Sequence, residues 1–430
     1  MHRPSRRAIM KTTLRLAALG ALLRPGLARA RKAEHEPDVP RTFSQMDVML
    51  RSATEGRELP GVVALATTET GIVYEGVFGS RRLGAAPAMT PDTVFRIASM
   101  IKLITSVAAL QLVEQGKLSL DAAVPDIDPA IGSPQVLEGF DPKGLPQLRP
   151  ANRPISLRHL LTHTAGFSYR LWDTKAVRYA ASLDLLPRAQ RKEAPRTPLM
   201  FDPGERWQYG TNIDWVGRIV EHVSGEPLDL YFRKHILDPL GMRDTGFVIS
   251  SEQRAREANV HKRAADGSLK AEPTEPAPAP HRSYSGGGGI YSTASDYLRL
   301  VRMLLRGGEL DGVRILRAET VALMGQNQIG DIEAGHMKTT TPALSNDVDF
   351  FPGISLRWGL GHMINMQPVP EGRSVGSMTW AGLFNTYYWI DPAKHVAAVF
   401  MTQVLPFADH RALRAYRRFE RGIYGSLKRA

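Results

Sequence analysis

The chain has 430 residues, of which 43% are hydrophobic and 23% charged, with no cysteine and a formal net charge of +12. That length supports a large buried core, and the lack of cysteine excludes a disulfide framework, a thiolate metal site and a thiol nucleophile. Residues 1–30 hold seven Arg and Lys and no Asp or Glu, so removing their charge from +12 leaves +5; with no basic run interleaved with aromatics, nucleic acid is not an expected partner.

In chain order, the first segment reads as an export signal over residues 1–30. "SRRAIMK" (Ser5–Lys11) is a twin-arginine-like basic region, "TTLRLAALGALL" a short apolar region, and "ARA" (Ala28–Ala30) a small-residue cleavage site. The expected location is therefore periplasmic or secreted. Residues 31–42 read as a flexible linker, and 43–430 as one enzyme-sized domain. No later stretch has 18 consecutive apolar residues, so no membrane span is expected in the mature chain.

"FSQMDVMLRSATEG" has helical spacing and ends at Gly56. Gly61–Arg82 reads as a hairpin turning near Glu69–Gly71. An apolar helix around Ser99 stops at Gly116. Pro125–Pro154 is loop-rich, Ile155–Phe167 a helix, and Trp215–Met242 a pair of amphipathic helices. Lys262–Ala279 reads as an exposed loop. "SGGGGIYSTASDYLRLVRMLLRGG" is a glycine turn and then a helix capped by Ser295. Gly376–Val404 reads as strands, and a final amphipathic helix begins at His410. Strands at both ends and helices between them predict an α/β (α+β) fold. Its central antiparallel sheet is formed from both chain ends and flanked by helices, with an inserted, mostly helical subdomain over about 97–285.

The stretch "FRIASMIKLITSVAAL" (Phe95–Leu110) sets a lysine inside an apolar helix, three residues after a serine. Residues i and i+3 share a helix face, so Ser99 and Lys102 can touch. A serine hydroxyl needs a base to become a nucleophile. Burial disfavours an ammonium ion, and a neutral amine is what such a base must be. Backbone N–H groups at the helix start favour a developing oxyanion. Ser106, deeper in the helix, is expected to bond back to a carbonyl. By itself a Ser-x-x-Lys pair is equally an N-cap serine with a lysine reaching the surface.

Further blocks remove that ambiguity. "FRIASMIK", "ISLRHLLTHTAGF", "FDPGERWQYGTNIDWVGRIVEHVSG", "GGGGIYSTASDYLRLVRMLLRGGELDGVRIL" and "TWAGLFNTYYWIDP" follow one another across nearly the whole mature chain. In that order they resemble the serine β-lactamase and penicillin-binding-protein superfamily, in its class C β-lactamase-like esterase branch. The resemblance implies a β-lactamase/transpeptidase-like fold. It makes Ser99 the acylated nucleophile, Lys102 its base partner and Tyr209 a proton shuttle. Trp380, Gly382 and Leu383 would line the substrate side, with the backbone N–H groups of Ser99 and Leu383 as oxyanion donors. It implies no cofactor and no metal, and a small-molecule ester or amide as substrate.

Two positions depart from the family pattern. The tyrosine motif often reads Tyr-x-Asn, whereas here Thr211 holds the third position and Asn212 follows. The strand motif of true β-lactamases begins with a lysine that helps to bind a carboxylate; here Trp380 stands there. The indole favours neutral, apolar acyl esters, so a carboxylesterase acting through acyl-Ser99 is the expected activity. A D-alanyl-D-alanine carboxypeptidase or weak class C-type β-lactamase, an acyltransferase, and a non-catalytic penicillin-recognising module are the alternatives.

Three motifs are read as structural. "GRSVG" (Gly372–Gly376) lacks the strand-then-helix setting of a nucleophile elbow, so Ser374 is a turn residue. His159 and His163 lack the Glu of a His-Glu-x-x-His site and read as buried or capping. Gly286–Gly289 reads as a turn and Asp214 as a helix anchor.

Overall fold

The computed structural model describes residues 42–124, 127–128, 131–186, 197–274 and 283–427. The export-signal reading of residues 1–30 lies outside the described residues, as does the linker reading except at Thr42. Thr42 caps the first helix, α1 (Phe43–Glu55), its hydroxyl accepting from the Gln45 N–H.

The core of the fold is an eight-stranded antiparallel sheet built from both ends of the chain. The N-terminal part supplies β1 (Gly61–Thr68), β2 (Ile72–Arg82) and β3 (Ala85–Ala88). The C-terminal part supplies β4 (Leu356–Trp358), β5 (Met363–Asn365), β6 (Met378–Gly382), β7 (Thr386–Asp391) and β8 (Val396–Met401). The order is β4-β5-β6-β7-β8-β1-β2-β3. The two ends meet where β1 pairs with β8, Val63 opposite Met401 and Thr68 opposite Val396.

Helices cover both faces, and β7 shows why "TYYWID" reads as unbroken apolar sequence rather than as an alternation. Tyr387 stacks at 4.5 Å on Tyr416, and Trp389 meets Phe419 at 5.5 Å, both on the C-terminal helix α7 (His410–Leu427). Tyr388, pointing the other way, meets Tyr297 at 5.5 Å on α6 (Ala294–Leu305). The helix that carries Lys102, α2 (Ile101–Glu114), is buried along 11 of its residues, from Ile101 to Leu112. It packs against α5 (Asn212–Ser224), which carries the residues after Tyr209.

Several expectations need correction. The helix expected over Ile155–Phe167 is only the short α3 (Leu157–Leu161), because His163 takes a left-handed φ of 57° and turns the chain. The cap of α6 is Thr293, not Ser295: Thr293 is the extended residue, and its hydroxyl accepts from the Asp296 N–H at 3.1 Å. The loop-rich stretch contains a hairpin, Gln135–Phe140 with Pro146–Pro150, and the long segment after Leu171 contains α4 (Thr174–Ser182). Within the loop expected at 262–279, His261–Arg263 pairs with Leu269–Ala271. No described helix is long and apolar enough to cross a membrane.

Candidate active site

Strand Val94–Arg96, paired with Tyr291–Thr293, delivers the chain to Ala98, which adopts a left-handed φ of 43°. A non-glycine residue in that region costs about 1 kcal/mol or more. The bend turns Ser99 into the tight turn Ala98–Met100 that opens α2. Ser99 is half-buried and Lys102 only 1% exposed. Lys102 Nζ donates to Ser99 Oγ at 3.1 Å and to the Gly287 carbonyl at 2.7 Å. Its Nζ also lies 5.0 Å from the Tyr209 ring centroid and 5.4 Å from that of Tyr169. Among the described residues no carboxylate pairs with it. The amine is thus held by dipoles and aromatic faces rather than by a counter-ion.

The glycine run does more than turn the chain. Gly287 supplies the carbonyl that fixes Lys102, and Gly286 the carbonyl that accepts from Thr105 Oγ1 at 2.7 Å. A Cβ on Gly286 would collide with the Ile213 carbonyl, and one on Gly287 with the Asp214 carboxylate. Only backbone fits between α2 and α5 at this point. Asp214 fastens the arrangement by accepting from Ser285 Oγ and, at 3.0 Å, from the Tyr169 hydroxyl. Burial, with Asp214 second, pushes the Tyr169 phenol well above its ordinary range. It remains a neutral donor beside Lys102.

Tyr209 is 2% exposed and packs among His163, Tyr169, Trp172 and Trp380 at centroid distances of 4.7, 5.4, 5.4 and 4.8 Å. The Trp380 indole N–H donates to the Tyr209 oxygen at 3.1 Å. The residue that replaces the family lysine is therefore an apolar wall with one aimed donor. The shifted asparagine turns away from the cavity. Asn212 Nδ2 bonds His163 Nδ1 at 3.0 Å and the Phe167 carbonyl at 3.3 Å. Burial, with Lys102 nearby, holds the His163 imidazole well below its usual range, so it backs the Tyr209 ring as a neutral group.

On the opposite side, β6 and the residue after it bring Trp380, Gly382 and Leu383 towards Ser99. A Cβ on Gly382 would strike the Ile97 carbonyl and Thr386 Oγ1, so glycine is what lets the strand reach the segment before Ser99. The turn after it is pinned by Asn385, buried and left-handed at φ 62°, whose side chain bonds the carbonyls of Val404 (2.8 Å) and Pro406 (2.9 Å) and the Tyr387 hydroxyl (2.6 Å). Ser99, Tyr209, Trp380 and Leu383 thereby line one cavity of about 400 Å³, together with Tyr169, Leu171, Trp172 and Phe407. A larger hollow of about 510 Å³ lies among Arg81, Arg96, Arg254 and Glu257, and none of the predicted site residues lines it.

The residues set aside on sequence grounds are structural. Ser374 sits in a turn, its N–H bonded to Asp391. His159 closes a capping box with Ser156. Ser106 donates back to the Lys102 carbonyl at 2.8 Å. Sequence reasoning missed Tyr169, Asn385 and the carbonyl role of Gly286–Gly287; the four-glycine run was the one available signal.

A half-buried serine touching a buried lysine, in a turn that meets strand β6 of an antiparallel sheet and opens a buried helix, defines an enzyme of the serine acyl-transfer type. A family model described as Beta-lactamase matches residues 46–422, and the chain belongs to that family. It is 32% identical over 404 residues to ML-236A carboxylate methylbutanoyltransferase of Penicillium citrinum, covering 90% of this chain and 95% of that one. It is 33% identical over 382 residues to lovastatin esterase of Penicillium rubens, covering 84% and 93%. The unliganded structure of simvastatin synthase from Aspergillus terreus superposes with a TM-score of 0.77 at 30% identity, over 90% of this chain and 99% of that one.

Proposed function

We propose that this enzyme cleaves carboxylic esters through an acyl-enzyme on Ser99, and that an alcohol bound in the same cavity takes the acyl group in place of water. The observation that carries this reading is the 3.1 Å contact between Lys102 Nζ and Ser99 Oγ at the wall of an aromatic cavity that also holds Tyr209. The Ser99 oxygen attacks the ester carbonyl, and its proton passes to the Lys102–Tyr209 pair. The N–H groups of Ser99 and Leu383 receive the oxyanion. The C–O bond to the leaving alcohol breaks, and Tyr209 returns the proton to that oxygen. Water or a second alcohol then reverses the sequence and frees Ser99.

Trp380 and Phe407 give the cavity an apolar lining suited to short acyl chains. The absence of a lysine at position 380 disfavours β-lactam and D-alanyl peptide carboxylates. Alcohol as acceptor draws support from relatives named as acyltransferases, and water from one named as an esterase. Export under the leader read at residues 1–30 belongs to the same proposal; a mature N-terminus after Ala30 in periplasmic protein is its check.

The test is intact-protein and peptide mass spectrometry after a fluorophosphonate probe, with Ser99→Ala as control, beside p-nitrophenyl butyrate turnover with and without added alcohols. One adduct on Ser99, turnover lost in the variant, and ester product formed from an added alcohol is the expected result. Full turnover by Ser99→Ala overturns the mechanism.

A further inference from the structure

An oxyanion hole works only when its two N–H groups converge on one oxygen, each within about 3 Å. Here the two donors, Ser99 and Leu383, come from segments far apart in the chain. Gly382 lets those segments approach at the Ile97 carbonyl, but a missing side chain only permits an approach and does not fix it. Ala98, between Arg96 and Ser99, holds a left-handed φ of 43°, a strained bend that persists only where its neighbours are pinned.

The pin on Arg96 is a side chain. Strand Val94–Arg96 pairs along one edge with Tyr291–Thr293. On its other edge Val94 donates to the Arg256 carbonyl at 3.0 Å and accepts from the Ala258 N–H at 2.9 Å. The chain then leaves that edge, the Asn259 N–H bonding the Arg81 carbonyl, and Gln403 takes over at Arg96. The Arg96 N–H donates to Gln403 Oε1 at 3.2 Å, and Gln403 Nε2 donates to the Arg96 carbonyl at 3.1 Å. The carboxamide thus imitates one residue of a neighbouring strand. Nε2 also donates to the Thr402 carbonyl at 2.9 Å, and the side chain is wholly buried. Turned over, the amide would set donor against donor and acceptor against acceptor, so its surroundings fix its orientation. The next residue grips the other half of the hole. The Val404 N–H donates to the Phe384 carbonyl at 3.1 Å, and the Val404 carbonyl accepts from Asn385 Nδ2 at 2.8 Å. We infer that Gln403 is a positioning residue which, with the backbone of Val404, sets the separation of the Ser99 and Leu383 N–H groups. Gln403 is not among the described residues lining the cavity, so it acts through the backbone and not on the substrate. The inference rests on the acyl-Ser99 reading.

The experiment compares wild type, Gln403→Met and Gln403→Glu, using p-nitrophenyl butyrate and the inhibitor propyl trifluoromethyl ketone. Ser99 Oγ adds to the ketone carbon, its proton passes to the Lys102–Tyr209 pair, and the carbonyl oxygen becomes an oxyanion in the hole. Rates are normalised to the Ser99 that fluorophosphonate labels, so misfolded protein drops out of the comparison. Gln403→Met removes both bonds to Arg96 at nearly constant size. It is expected to lower kcat/KM and ketone affinity together, about tenfold to hundredfold, with KM little changed. Gln403→Glu, when ionised, sets a carboxylate oxygen against the Arg96 carbonyl; when protonated, its O–H restores the donor. Its kcat/KM relative to wild type at the same pH should therefore rise severalfold as pH falls from about 9 to about 6, the range in which a buried glutamate takes up its proton. Folded Gln403→Met with kcat/KM and ketone affinity within about twofold of wild type overturns the positioning role, as does reduced turnover with ketone affinity unchanged. Should Gln403→Met fail to fold, the Gln403→Glu ratio decides, and a ratio flat across that pH range overturns the role. Wild type that neither cleaves the ester nor takes the label on Ser99 overturns the acyl-enzyme reading instead, and the inference falls with it.

Discussion

Replacing Trp380 with Phe isolates one bond. The indole N–H donates to the Tyr209 oxygen at 3.1 Å, with both side chains at most 3% exposed. Between neutral groups such a bond is worth about 1 kcal/mol net. When Tyr209 parts with its proton, the same donor faces a developing phenolate, and a charge-assisted bond is roughly twice as strong. The difference, about 1–2 kcal/mol, exists only as the proton moves, so kcat should fall about fivefold to thirtyfold with a smaller change in KM. Phe retains the ring contacts to Tyr209 and Trp358, now at 4.8 and 4.6 Å, at a stability cost of about 1–2 kcal/mol. Steady-state turnover of p-nitrophenyl butyrate, with urea unfolding to verify the fold, reads both quantities. In a Tyr209→Phe background the second substitution should add little. A folded Trp380→Phe enzyme with kcat within twofold of wild type would refute the idea that the indole N–H assists proton transfer.

Gly287→Ala forces a Cβ against the Asp214 carboxylate and moves the carbonyl that holds Lys102; the rate of Ser99 labelling by fluorophosphonate should drop at least about tenfold while the protein stays folded. Arg373 and Glu420 form a buried pair, with bonds of 2.9 and 2.6 Å, away from the cavity lining. Removing either charge alone should cost about 3–5 kcal/mol in urea unfolding, whereas replacing both with Met should recover most of it. Burial raises the Asp296 carboxyl from 3.8 to about 6. A raised folded value contributes stability that is present below about 4 and lost as pH rises through about 6, up to about 3 kcal/mol. His362 runs the other way: burial lowers it from 6.5 to about 4, so its contribution is present above 6.5 and lost on acidification through about 4. Asp296→Asn should therefore steepen the loss of stability between pH 6.5 and 4, measured by urea unfolding at each pH; an unchanged slope would exclude a titrating Asp296.

Local signals in this chain are legible in sequence, while close approach between distant segments is not. The apolar period of Ile101–Glu114 and the three-residue step from Ser99 to Lys102 are properties of one helix, and they survive in the structure. Tyr209 and Trp380 enter the site from other parts of the chain, and only the resemblance to a family linked them to Ser99. Thr293 takes the cap expected of Ser295 because the strand before α6 ends two residues earlier than the pattern implies. The roles of Gly286, Gly287 and Asn385 depend on what lies across from them, Ile213, Asp214 and Val404, and no local pattern carries that information. Gly382 was assigned to the substrate side; the structure adds its steric duty, since its missing side chain is what admits the Ile97 carbonyl.

A sheet joined from both ends of the chain also sets when the enzyme can first work. During synthesis Ser99 and Lys102 emerge early, but Trp380 and Leu383 follow far behind, and Asn385, which pins their turn, waits for Val404, Pro406 and Asp409. β1 cannot complete its pairing until β8 exists. Such sequence-distant pairing is slow to form. A nascent or prematurely terminated chain thus carries Ser99 and Lys102 without the wall that completes the cavity. Acyl transfer by this protein is a late property of a finished chain, and a product truncated before Trp380 should be inert rather than weakly active.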